Sequence, residues 1–277
     1  MDLFSRAQVG TVAAVESRRP AAVLLALDGS TQDAFGIAIA NQFRERFGCR
    51  LAVVDAREGE VEGDLAPQAA QSVGGDAHPK TSDDSFTQIL NAVEQSNCDL
   101  LVTPCPFGRD LESVGPDSTG TVIDVLLARS PVPILVVRRP YEPRGELFHQ
   151  HVMTLTAENE AAPDAAAWAA GLIAPQGTFH FVLELEREMH QNIAALMQSI
   201  APDVDVSIDS LSHALARNYM RLHRGLQKAA AEVGFTYKLK LEVEGEAGPI
   251  APEDAPRPTL RVLACLLYTS DAADDSV

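Results

Sequence analysis

Apolar and polar positions fall in blocks along the first 140 residues. Residues 21–27, AAVLLAL, form a continuous apolar run that ends in Asp28-Gly29-Ser30. The run is too short to span a membrane and shows no polar alternation. It predicts a parallel strand buried on both faces, with Asp28 at its carboxyl end. Phe35, Ile39, Phe43 and Phe47 recur every fourth residue. They predict one helical stripe over 31–47, capped by Ser30 or Thr31 and ended by Gly48.

The same order continues. Residues 50–56, RLAVVDA, predict a second strand. Residues 58–80 are rich in Gly, Ala, Asp and Glu with little periodicity. They read as a long loop with at most one short strand. Helical spacing returns over 83–96 through Phe86, Ile89, Leu90 and Val93. Residues 98–103, CDLLVT, predict a strand, and 104–119 a loop with three prolines and two glycines. A helix over 120–129 and a strand over 132–137, VPILVV, close the series. Strands separated by helices imply right-handed crossovers and an open parallel α/β sheet flanked by helices. Ligands bind such sheets outside the carboxyl ends of the strands, which makes Asp28 a candidate site residue. A capped helix with no ligand is the plain alternative.

Residues 146–264 read as a divergent, incomplete second copy, inferred from element order. Strands are expected at 151–156, 179–185 and 237–243, and helices at 163–174, 189–200 and 211–233. The first of these strands ends in Ala157-Glu158-Asn159 rather than an acid followed by Gly-Ser. Four segments result: an extension over 1–20, an α/β domain over 21–141, the second copy over 146–264, and a tail over 265–277. Residues 265–274, CLLYTSDAAD, look like a translated sequencing adapter. The tail is therefore expected to be non-native, and the natural sequence to be known only to Ala264.

Composition narrows the function classes. The 277 residues are 46% apolar, enough for a sizeable core. Thirty-nine acids against 22 bases give a net charge of −17, which opposes nucleic acid or an anionic membrane as partner. The first 20 residues lack the basic start and apolar core of a secretory signal. Cys49, Cys98, Cys105 and Cys265 show no metal-like spacing. A reducing cytoplasm is the expected setting.

Three ordered segments carry a family resemblance. LALDGS at 25–30, CDLLV at 98–102 and GTVIDVLLARSPVPILVV at 120–137 resemble the first strand and turn, the strand before the nucleotide loop, and the closing helix and strand of the universal stress proteins. The likeness spans most of 20–140. It implies a Rossmann-like five-stranded parallel sheet and a stress-response binding or signalling role rather than catalysis. Many members bind ATP and others bind no nucleotide. Family members also often pair through the last strand, which implies a homodimer or intramolecular pairing of the two copies.

The resemblance also assigns site residues. Asp28 would meet ribose or adenine, and Val54 would line the adenine pocket. ATP-binding members carry a glycine, two residues, a glycine, nine residues, then Gly-Ser or Gly-Thr. Gly120-Thr121-Val122 matches the last element, and Gly108 serves as the second glycine with eleven residues between it and Gly120. Pro104 or Cys105 stands where the first glycine belongs. Proline lacks the N–H that would donate to phosphate, and any side chain keeps the backbone at a distance. Weak binding of ATP or ADP and a loop that merely caps its helix both fit this pattern. Val54 as core and Asp28 as helix cap are the matching alternatives.

Other chemistry is thin. A nucleotide hydrolase would need a base or metal ligand near the phosphates, and only Asp110 and Asp117 lie in the loop. His149 and His151 alternate on one strand start, and His213 and His223 stand ten apart, so packing roles are expected and no metal site. Ser30 lacks the flanking glycines of a nucleophile elbow. Cys98 and Cys105 flank a strand and its loop and are candidates for a redox role.

Overall fold

The computed structural model describes residues 15–59, 62–109, 119–138, 147–155, 161–185, 187, 191, 220–243 and 258–264. These fall into two units, one containing residues 20–138 and the other residues 15–19 with 147–264.

The first unit is built as its hydrophobic blocks dictate. Strand β1 (Ala22–Leu27) is buried at every position, as a strand covered on both faces must be. Helix α1 (Asp33–Phe47) buries Ile39, Ala40 and Phe43. Gly48 ends it in the left-handed region at φ 64°, donating its N–H to Arg44 O. Its start differs from expectation. Ser30 Oγ accepts from the Gln32 N–H at 3.2 Å, so the serine makes a turn ahead of the helix instead of capping it. Strand β2 (Arg50–Asp55) follows.

The long loop expected over 58–80 contains a helix, α2 (Ala66–Val73), before strand β3 (Asp76–His78). Ala66, Ala69, Ala70 and Val73 are its buried face. The spacing is helical, but alanine carries so little hydrophobic contrast that the stripe does not stand out. Pro67 at the first turn and Gly74 at φ 65° bound it. Helix α3 (Ser85–Ser96) is capped by Asp84, whose carboxylate accepts from the Thr87 N–H at 2.9 Å.

Strand β4 (Leu100–Cys105) runs two residues further than expected, through Pro104. Its pairing with β1 ends at Leu25–Val102, so Pro104 has no ladder bond to give on that side. Helix α4 (Thr121–Arg129) and strand β5 (Ile134–Arg138) complete the unit. All pairings are parallel, in the order β3-β2-β1-β4-β5. One core layer joins Leu24, Ala26 and Val54 to Ile89, Val93, Ile123 and Leu126 of α3 and α4. On the opposite face, a Cβ at Gly36 of α1 would lie 2.9 Å from Leu25 Cδ1, so the missing side chain lets the helix seat on β1.

The second unit begins with a short 3-10 turn at Leu147–His149 and strand β6 (Gln150–Leu155). Helix α5 (Ala162–Leu172), strand β7 (Thr178–Leu185), helix α6 (Met220–Val233) and strand β8 (Thr236–Val243) follow. Strand β9 (Leu260–Leu263) was not expected from the pattern, since four residues with one charge are a weak signal. The sheet is wholly parallel in the order β8-β7-β6-β9. Read by chain position within the unit, that is third-second-first-fourth, the order of the first four strands of the other sheet. Phe179, Phe181, Met153, Leu226 and Ala166 meet in its core. Apart from residue 191, the helix expected over 189–200 lies outside the described residues, as do positions 211–219 of the helix expected over 211–233, the Ala157-Glu158-Asn159 turn and the tail over 265–277.

Residues 15–19 belong to this second unit. The Arg18 N–H donates to Ala167 O of α5 at 2.9 Å, and Val15 packs on the core. Two glycines admit this arm. A Cβ at Gly171 of α5 would lie 1.7 Å from Arg18 O, and one at Gly225 of α6 2.5 Å from Val15 Cγ2.

Candidate functional site at the carboxyl ends of β1 and β4

The chain leaves β1 toward β2 and β3, then returns to pair β4 on the other side of β1. Strand order thus reverses between β1 and β4, and the crevice outside their carboxyl ends is the expected ligand position in such a sheet. Asp28 stands there, 8% exposed. Its Oδ1 accepts from the Ser30 N–H and its Oδ2 from the Gly108 N–H, both at 2.8 Å. The second bond ties the turn after β1 to the loop after β4.

The far side of that loop returns to the same place. Cys105 Sγ donates to Thr119 O at 3.5 Å, and a Cβ at Gly120 would stand 3.8 Å from Pro106 Cβ. Gly120 has φ 84° and ψ 153°, a conformation open in practice to glycine alone. It opens α4, whose first N–H groups and positive dipole end face outward from the helix start. Thr121 is exposed and Val122 is half-buried against the core. The hydroxyl of Thr119 donates to the Asp124 carboxylate. Asp28, Gly108 and Gly120 are therefore brought to one edge of the sheet. Val54 is 0% exposed and lies in the core layer with Leu24 and Ala26. Asp110 and Asp117 lie outside the described residues.

Four polar residues that pattern reading passed over complete the edge. Gln32 is buried, and its side-chain amide, oriented by its partners, donates to Cys105 O at 3.0 Å and Val137 O at 3.1 Å. Asp33 accepts from the N–H groups of Asp28 and Gly29 at 3.1 and 2.9 Å. Burial, and secondarily the Asp28 charge, push its carboxyl up to about 7. Asp55 ends β2 as Asp28 ends β1, an acid closing an apolar run, and the sequence carried that signal. It is 3% exposed and holds Arg57 through both oxygens, with Nη2 at 2.6 Å. The Leu65 N–H donates to it as well, at 2.9 Å. Burial raises the Asp55 carboxyl, but the Arg57 and Leu65 bonds outweigh it and hold the group below its ordinary value. The Arg57 side chain crosses Gly29, where a Cβ would meet its Cδ at 2.7 Å.

The remaining candidates have structural positions. Burial pushes the thiols of Cys98 and Cys105 up, which disfavours the reactive thiolate. His151 is buried, with Nδ1 2.9 Å from Ala169 O and its ring edge-on to Phe179. His223 Nδ1 lies 2.9 Å from the Tyr237 hydroxyl. Among the described residues no group of His, Cys, Asp and Glu could hold a metal ion, and no helix is long and apolar enough to cross a membrane.

Comparison with solved structures gives the fold its name. A universal stress protein from Archaeoglobus fulgidus DSM 4304 superposes with a TM-score of 0.50 at 15% identity, over 81% of this chain and 79% of that one. A protein from the universal stress protein family from Burkholderia pseudomallei matches at 18% identity over 42% of this chain and 95% of its own, with a TM-score of 0.30. No family model and no curated protein sequence matches the chain. The chain has the universal stress protein fold, an α/β architecture with the five-stranded parallel sheet described above.

Proposed function

We propose that this protein is a stress-response binding and signalling module of the universal stress type, acting in the cytoplasm, whose first unit binds ATP or ADP weakly and without turnover. The observation that carries this reading is the hydrogen bond from Gly108 to Asp28 at the strand-order reversal, with Gly120 across the same loop. Phosphate would meet the N–H groups at the start of α4, and adenosine the Asp28 side. Pro104 and Cys105 in place of glycine weaken the cradle. One observation favours a ligand-free interaction module instead: both Asp28 oxygens already accept backbone N–H groups.

Titration calorimetry with ATP and ADP separates the two. Binding in the high-micromolar to millimolar range is expected, with negligible phosphate release. Gly120→Val is a poor probe, because φ 84° strains any side chain there. Thr121→Glu is better: its exposed charge suits the helix start but repels phosphate, so affinity should fall at least tenfold while folding is kept. No binding at millimolar nucleotide would leave the interaction module as the better account.

The shared third-second-first-fourth strand order supports the reading of residues 146–264 as a second copy. Pairing through the edge strand β5, within the chain or between chains, follows from that reading. Light scattering at micromolar concentration is expected to show self-association. A strictly monomeric species would exclude the homodimer.

A further inference from the structure

The arm of residues 15–19 lies in a groove against α5 and α6 of its own unit. The groove is made by what the two helices lack. At Gly171 of α5 a Cβ would stand 1.7 Å from Arg18 O, and at Gly225 of α6 2.5 Å from Val15 Cγ2. One turn before Gly171, Ala167 O accepts the Arg18 N–H at 2.9 Å. A carbonyl has two lone pairs, so one inside a helix can accept from outside where small residues leave it within reach. Both backbone groups of Arg18 thus meet the helix directly. Val15 packs on the core that holds Ala166, Ala170 and Leu226. At the rim the Arg18 guanidinium stands 3.1 Å from the Asp164 carboxylate. Residues 15–20 belong to no helix or strand.

We propose that this groove is an acceptor site for a detachable segment, and that it takes residues 15–18 of a second copy of the chain in place of its own. Among the described residues the hold on the arm is slight: a backbone hydrogen bond, a small apolar side chain and an ion pair open to solvent. The next anchor along the chain is close. Only Arg19 and Pro20 separate Arg18 from Ala21, whose N–H donates to Asp99 Oδ2 at 2.8 Å just ahead of β1. Proline fixes its own φ and keeps the residue before it extended. The hinge is therefore short and stiff, and short hinges invite exchange of a terminal segment between copies. An arm from a second copy makes the same contacts, so exchange costs only the advantage of the tether. It depends on no nucleotide, and the surface it uses is not β5.

The test uses Trp168, the one tryptophan of the chain, half-buried on α5 at helical spacing from Asp164 and Gly171. The acceptor is the full chain with Val15→Asp, which expels its own arm. Trypsin should then cleave after Arg18 at least about tenfold faster than in the unmodified chain. The donor is the full chain with Gly171→Ala, which blocks its own groove, and Trp168→Phe, which leaves it without tryptophan. Added to the acceptor, the donor should shift Trp168 emission to shorter wavelength. The unmodified chain should need at least about tenfold more donor for the same shift, because its tethered arm competes. A donor that also carries Val15→Asp should give no shift, which separates arm exchange from association through any other surface. An arm left uncut in the acceptor, an unshifted mixture, or an equal shift with the control donor overturns the exchange. Should Val15→Asp not fold, Val15→Ser is the milder acceptor. Should the donor not fold, a synthetic peptide of residues 13–20 replaces it. That peptide must shift the acceptor emission while its Val15→Asp version does not, and two equal responses overturn the exchange as well.

Discussion

Gly171→Ala is expected to destabilise the second unit by about 1–3 kcal/mol, the usual range for inserting a methyl group into a closed space. A Cβ there would lie 1.7 Å from Arg18 O, 2.5 Å from Arg18 C and 2.7 Å from Arg18 N. These are backbone atoms, so no rotamer change relieves the clash. Either the arm lifts, losing the Arg18–Ala167 bond and the packing of Val15, or α5 moves off its sheet. The Arg18–Asp164 ion pair adds little, because its side chains are 52% and 66% exposed. Gly225→Ala should cost less, since the atom it meets most closely is Val15 Cγ2 at 2.5 Å and the nearest backbone atom, Val15 N, stands at 3.2 Å. The decisive comparison repeats Gly171→Ala in a chain lacking residues 1–19. Without the arm, alanine should become stabilising by roughly 0.5–1 kcal/mol through helix propensity. Urea unfolding of the four proteins measures both numbers. An equal loss with and without the arm would show that the arm is not what Gly171 accommodates.

Asp55→Ala should cost about 3–5 kcal/mol, the range for removing one partner of a buried ion pair. The carboxylate is 3% exposed, and the Arg57 side chain only 18%. Removing Asp55 leaves the guanidinium beside Gly29 without its bidentate partner and the Leu65 N–H without an acceptor. The turn into α2 and the turn after β1 should both loosen. The pH dependence has a definite sign. The Asp55 carboxyl lies below its ordinary value in the folded chain, so the native state binds its proton less readily than the unfolded one. Its stabilisation is complete above the unfolded value of about 3.9 and is lost as pH falls through the lowered folded value. Urea midpoints measured from about pH 2 to about pH 7 should therefore drop on the acid side in the unmodified chain and less steeply in Asp55→Asn. A parallel drop in both would assign acid sensitivity to other carboxylates.

Much of the first unit was legible because its signals are local. The run at 21–27 lacks polar alternation, and only a strand covered on both faces tolerates that. Phe35, Ile39 and Phe43 are spaced by the helix period itself. Helix α2 was hidden because an alanine face carries almost no amphipathic contrast, and burial against its own unit is what makes it a helix. Strand β9 was hidden because four residues are too few to show a period. Asp28 could be picked out by its place at the end of an apolar run. Asp55 has the same place, but Ala56-Arg57 follows it instead of a Gly-Ser turn.

What the sequence determined by itself was the order and type of most elements, and through them a parallel sheet with an acid at the end of its first strand. Those follow from spacing within ten or twenty residues. The tertiary structure alone decided which distant groups meet: Gly108 on Asp28, 80 positions away, and the arm over Gly171. It also decided that Val54 is core and that the Asp33 carboxylate accepts from the Asp28 N–H. Hydrogen bonding, burial and charge proximity depend on distances in space, and nothing in local hydrophobic spacing encodes those distances.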